Sequence, residues 1–332
     1  MNQDGNIPSL AAAYAAYFPI GAAVSPEVIR SHRDVLTRHF SSVTAENHMK
    51  FALVHPEPDR YDFAAADDIV AFAQANHMKV RGHTLVWHNQ TPSWVFEGSD
   101  GSPVKPADLR ARMREHIHTV MSRYRGRVYC WDVVNEAVAD SGEAWLRDSK
   151  WHAILGPDYL RDAYIFAHEA DPDALLFYND YNECEEEKRE KIYRLVRDLR
   201  AQDVPVHGIG MQGHWGLVRP AADDIRRTIE RFASLGVQIQ ITELDITLYD
   251  WQDRRTDLRT PPPEWLERQA ERYGEIFAIF REYKDVITGV TLWGVADDWT
   301  WRDDFPVRGR KDWPLLFDTA HQPKAAFWRA LP

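Results

Sequence analysis

Cysteine is nearly missing from this chain. Of 332 residues only Cys130 and Cys184 carry thiols, and neither stands in a CxxC or other metal-ligand spacing, so no disulfide framework holds the fold. Positive charge is also in deficit, with 40 Lys and Arg against 51 Asp and Glu and a formal net charge of −11. Such a balance opposes a phosphate backbone and argues against a nucleic-acid partner. No apolar run approaches the roughly 18 residues of a membrane helix, so no membrane partner is expected. The stretch MNQDGNIPSLAAAYAAYFPIGAAV has an Asp where a secretory leader has basic residues, contains Pro8 and Pro19, and shows no small-residue cleavage site. Read from Met1, the chain is expected to be cytoplasmic. No GxGxxG or P-loop follows the first strand, and no linker, repeat or low-complexity segment divides the sequence.

Aromatic residues are what the chain has in excess. Thirteen Trp, thirteen Tyr and fourteen Phe exceed the needs of a core of this size, and a site that stacks flat ligands is one use for the surplus. Between these residues runs a regular alternation. Short runs rich in β-branched and aromatic residues predict strands at 18–24, 41–47, 79–87, 128–136, 175–181, 207–214, 237–245 and 286–294. Amphipathic segments at 26–39, 64–77, 106–124, 158–170, 185–202, 221–235, 264–283 and 322–330 predict helices, several with start signals such as Ser25 before Pro26. Strand alternating with helix over this length predicts a single α/β domain, a (β/α)₈ TIM barrel spanning residues 1–332. A doubly wound open sheet is the competitor, and the missing glycine-rich loop counts against it.

In such a barrel the active site lies at the C-terminal ends of the strands. Polar and Trp residues gather at seven of the eight expected ends: Glu46, Asn47 and Lys50; His83, Trp87, His88 and Gln90; Asn135 and Glu136; Asn179, Asp180, Tyr181 and Asn182; Gln212 and His214; Glu243 and Asp245; Trp293, with Trp301 beyond it. Glu136 and Glu243 fall on the fourth and seventh strands, nearly opposite each other across the mouth. Glycoside hydrolysis needs such a pair, one carboxyl to protonate the departing oxygen and another to attack the anomeric carbon or activate water. Each glutamate alone also fits a strand end that meets a lysine or a helix N-terminus. His214 and Asp245 are candidates to hold Glu243 ionised, and Asn135 to bond a sugar hydroxyl. Adjacent strand residues point to opposite faces, so Asn135 and Glu136 both reach the site only if the strand ends or bulges there. Metal ligation by His83, His88 and His214 is disfavoured, because no HxH or HExxH occurs at the strand ends. Lys50 fits a simple neutraliser of Glu46, and the three tryptophans fit rim packing or sugar stacking.

The ordered segments FPIGAAV, TAENHMK, RGHTLVWHNQTPSW, WDVVNEA, YNDYN, GIGMQGHW, ITELD, TLWGVADDWTW and PLLFD resemble glycoside hydrolase family 10, the endo-β-1,4-xylanases, over nearly the whole chain. The resemblance implies a retaining endo-1,4-β-xylanase acting on xylan fragments and xylo-oligosaccharides, with Glu136 as acid/base and Glu243 as nucleophile. It implies glycone-side subsites of Glu46, Asn47, Lys50, His83, Trp87, Gln90, Asn135, Gln212, His214, Trp293 and Trp301, with Tyr181 on the aglycone side and His214 bridging Glu243 and Asp245. No metal or other cofactor is implied. The linker and binding module of many secreted relatives are not found, which places the chain with intracellular members as an expectation. Two further readings stay open: a β-glucanase or aryl β-glycosidase of the same barrel class, and a non-catalytic sugar-binding protein, which would not require paired carboxylates.

Overall fold

Parallel strands covered on both faces read as apolar runs, and that is how the chain is built. The computed structural model describes residues 7–98 and 100–332. Its strands are β1 (Ile20–Val24), β2 (Ser42–Ala45), β3 (Lys79–Gly82), β4 (Val86–Trp87), β5 (Cys130–Asn135), β6 (Leu175–Asp180), β7 (Gly208–Met211), β8 (His214–Gly216), β9 (Gln238–Thr247) and β10 (Ile287–Leu292). Every residue of β1, β2, β5 and β7 is buried. Eight strands pair in parallel in the order β1-β2-β3-β5-β6-β7-β9-β10, and β10 pairs back to β1 to close the barrel. β4 and β8 are short continuations that pair with β5 and β9. The architecture is the expected (β/α)₈ barrel.

The surrounding helices follow the sequence signals. Ser25 Oγ accepts the N–H of Val28 with Pro26 in the first turn, satisfying a donor that the helix itself leaves unpaired. The helix Ala222–Ala233 buries Ile225, Thr228, Ile229 and Phe232, a spacing that forms one face at 3.6 residues per turn. One expected element divides: the helix of 26–39 is two, Pro26–Ser31 and Arg33–His39. The expected strands of 79–87 and 207–214 also break. Between Gly82, opposite Trp131, and Val86, opposite Val134, three residues stand against two, so the ladder cannot continue in register. At 212–213 the break coincides with Gly213 at φ +76°. Gly82 is required where it is, since a Cβ there would lie 2.2 Å from the Trp131 ring.

The barrel interior is polar below the site. Arg81 donates to both carboxylate oxygens of Asp132 and, through Nε, to Gln240 Oε1 at 2.9 Å, while His83 Nδ1 lies 2.8 Å from Asp132 Oδ2. Arg81 and Asp132 are fully enclosed, so each ion depends on the other and on these hydrogen bonds. Asp132 is held ionised: burial works against its charge, but Arg81 and the His83 hydrogen bond outweigh it. It is the girder under the site, and through His83 it reaches the mouth.

Candidate active site

The β5 strand delivers the first carboxylate. Its register against β6 slips between Asp132 and Val134, the strand ends at Asn135, and Glu136 takes φ +56°. That left-handed turn, uncommon outside glycine, brings two adjacent side chains to the same side: Asn135 Nδ2 donates to Glu136 Oε1 at 3.2 Å. Gln212 Nε2 donates to the same oxygen at 3.0 Å, and Trp87 Nε1 donates to Oε2 at 2.8 Å.

From β9 comes the second. Glu243 is 5% exposed, accepting from Asn179 Nδ2 at 2.8 Å on Oε1 and facing His214 Nε2 at 3.2 Å on Oε2. His214 Nδ1 lies 2.9 Å from Asp245, which also accepts from Trp301 Nε1 at 2.7 Å and from Arg302. Burial alone would discharge His214, yet Asp245 and then Glu243 push its pKa up to about 9. Burial likewise raises Glu243, and it is outweighed by the His214 hydrogen bond and the charges of His83, His214 and Lys50, so the carboxyl titrates below the usual range. The imidazolium therefore donates from both nitrogens and keeps Glu243 an anion at neutral pH.

Asn179 connects the two carboxylates. Thr242 Oγ1 donates to its Oδ1 at 2.6 Å, which turns its amide nitrogen toward Asn135 Oδ1 at 2.9 Å and Glu243 Oε1. Gly210 leaves the room: a Cβ there would sit 2.3 Å from Asn179 Oδ1.

Above this pair runs a cleft of about 850 Å³. Every residue that the sequence reading assigned to the site lines it except Asp245, which lies enclosed beneath His214. Lys50 makes no ion pair with Glu46 among the described residues; its Nζ donates to Asn47 Oδ1 at 3.0 Å and stands 4.9 Å from the Trp87 ring centre. Glu46 is raised by burial, against the pull of Lys50. Gln90 Nε2 reaches the same Asn47 oxygen at 3.3 Å. Trp293 meets His83 edge to face at 5.4 Å, and Trp301 stacks on Phe305 at 5.0 Å. At the opposite end Tyr181 donates to Asp140 at 2.7 Å and accepts from Arg147, whose Nε holds the backbone oxygen of Glu136 at 2.9 Å.

A profile of glycosyl hydrolase family 10 matches residues 9–331. The chain belongs to that family. It is 58% identical over 326 residues to an endo-1,4-β-xylanase of Geobacillus stearothermophilus, covering 98% of each chain. A β-1,4-xylanase of Dictyoglomus thermophilum is 52% identical over 97% of this chain and 90% of its own. The solved structure of xylanase XynB from Paenibacillus barcinonensis, complexed with a conduramine derivative, superposes with a TM-score of 0.97 at 55% identity, covering 98% of this chain and 99% of that one.

Within this family member, several residues in or beside the cleft escaped the sequence assignment. Asn179 was visible as a polar strand end but had no role until its register opposite Asn135 was known. Trp251 and Phe305 line the cleft from irregular loops, where no periodicity marks them. His88 lies 4.0 Å from Glu136 Oε2; burial, aided by Arg147, lowers its pKa to about 4, so it is a neutral neighbour. Among the described residues, the His and Asp side chains whose ligand atoms gather within 4.8 Å of one another are His32, Asp298 and His321, none of which lines the cleft.

Proposed function

We infer that the protein hydrolyses internal β-1,4-xylosidic bonds with retention, as an endo-1,4-β-xylanase. The observation that carries this reading is the Asn135–Asn179 link between two carboxylates in unlike surroundings, Glu243 against an imidazolium and Glu136 beneath the Trp87 and Gln212 donors. In the first step a Glu243 oxygen attacks the anomeric carbon while the Glu136 proton passes to the departing glycosidic oxygen, leaving a glycosyl ester on Glu243. In the second, Glu136 takes a proton from water, the oxygen attacks the same carbon, and Glu243 leaves as a carboxylate. Two inversions retain the β configuration.

Sugar rings on the glycone side meet Trp87 and Trp293, with Glu46, Asn47, Lys50 and Gln90 to read hydroxyls; the leaving portion lies toward Tyr181. Flat faces with a few placed polar groups suit pyranose rings. Reducing-sugar release from linear xylo-oligosaccharides tests the reading, with β-glucan as the comparison. Release from xylo-oligosaccharides, lost in Glu243→Ala, is expected. Preferential release from β-glucan would overturn the substrate assignment.

A further inference from the structure

A second cavity, of about 520 Å³, adjoins the cleft and shares Trp251 and Arg302 with it. Its charge is opposite to that of the molecule. In a chain with a formal net charge of −11, five arginines line it against Asp250 and Asp253. Two of the five are already answered: Arg302 by Asp245 at 2.7 Å and Arg255 by Asp253 at 2.8 Å.

The other three are not. Arg310 is 2% exposed, yet among the described residues it forms no ion pair. Its Nη1 donates to the backbone oxygen of Asp253 at 2.7 Å, its Nε has no partner, and its guanidinium stands 4.1 Å from the Tyr249 ring centre. A buried cation without a carboxylate is costly, and binding an anionic group would offset that cost. The guanidinium groups of Arg219 and Arg268, exposed at the rim, have no hydrogen-bonding or ion-pair partner among the described residues. Tyr249, Trp251 and Trp265 supply flat faces beside these forks.

Guanidinium forks match the planar geometry of a carboxylate, and the aromatic faces suit a pyranose ring. We propose that this cavity binds the carboxylate of a uronic acid branch carried by the xylose main chain lying in the cleft. The inference rests on the xylanase reading above and names the substrate class that the same cleft would favour. Trp251, 63% exposed and common to both cavities, is the ridge over which the branch would pass.

The test compares three oligosaccharides with one xylose main chain: linear, bearing a single glucuronic acid branch, and bearing the methyl ester of that branch. kcat/KM is measured for the whole protein and for Arg219→Gln/Arg268→Gln, two rim residues outside the catalytic machinery. The wild-type protein is expected to favour the free acid over the ester by about tenfold at low salt, as close charge pairs do, and to lose the preference as salt rises. The double variant should treat acid and ester alike and hydrolyse the linear oligomer unchanged. Equal rates on acid and ester in the wild-type protein, or a preference that survives the double substitution, would overturn the proposal. Equal rates together with retention of inorganic phosphate, lost in the double variant, would assign the cavity to a free anion. Linear hydrolysis is the separate readout: its absence would overturn the xylanase reading and this inference with it, whereas its presence without a branch effect overturns this inference alone.

Discussion

His214 stands between two carboxylates, 3.2 Å from Glu243 through Nε2 and 2.9 Å from Asp245 through Nδ1. Asp245 is itself fixed by Trp301 and Arg302. One imidazolium thus joins Glu243 to the Asp245, Trp301 and Arg302 cluster, so that the charge and orientation of the Glu243 carboxylate depend on a single ring.

Removing that ring should move the pH profile. Glu243 acts as an anion, and His214 holds its pKa down; in His214→Gln the cation is gone, the Glu243 pKa rises, and the acidic limb of kcat/KM should move to higher pH by about one unit or more. A profile whose acidic limb stays in place would assign the ionisation of Glu243 to other neighbours.

The same residue links stability to pH. Its pKa rises from 6.5 to about 9 on folding, so the stability it contributes is full below pH 6.5 and is lost as the pH rises through 9. Denaturant melts across that window should show falling stability in the wild-type protein and a flatter dependence in His214→Gln.

The two glutamates should separate by leaving group. Glu136→Ala should retain much of its first-step rate on aryl xylosides whose leaving group needs no proton, and added azide should speed the second step and yield a β-glycosyl azide. Glu243→Ala should be inactive on every substrate. Equal losses on good and poor leaving groups in both variants would contradict the assigned roles.

Under the site, the Arg81–Asp132 pair is fully enclosed. Asp132→Asn leaves a buried guanidinium uncompensated, and a loss of about 3–5 kcal/mol in unfolding free energy is expected. His83 loses its carboxylate at the same time, so activity should fall as well. A midpoint unchanged in urea would show that water replaces the pair without cost.

Much of this was legible before any coordinate. The barrel was visible because its strands are short, apolar and spaced by amphipathic helices, and the cleft was visible because burial elsewhere made polar strand ends conspicuous. What could not be read was local backbone geometry. Nothing in WDVVNEA announces the slip after Asp132 or the φ of +56° at Glu136, yet these put Asn135 and Glu136 side by side. Asp132, three residues before Asn135 on the same strand, is the partner of Arg81, 51 residues away in the chain, a pairing that no local pattern marks. Trp251 and Phe305 sit in loops whose path depends on tertiary packing, and short helices such as Lys150–Leu155 are too brief for periodicity to mark.

The finite length of the aromatic floor sets a limit on useful substrate size. Trp87, Trp293 and Trp301 line one cleft of about 850 Å³ and have faces for only a few rings, so on the proposed function kcat/KM should rise with chain length to about xylotetraose and then level. A steady rise through much longer oligomers would require binding surface beyond this cleft.

If Glu243 forms a covalent glycosyl ester that Glu136 then helps water to break, the first product keeps the β configuration. Proton NMR of the first-formed reducing end, recorded before mutarotation, tests it most directly. The β anomer is expected as the initial product; an initial α anomer would mean a single displacement by water, with no ester on Glu243.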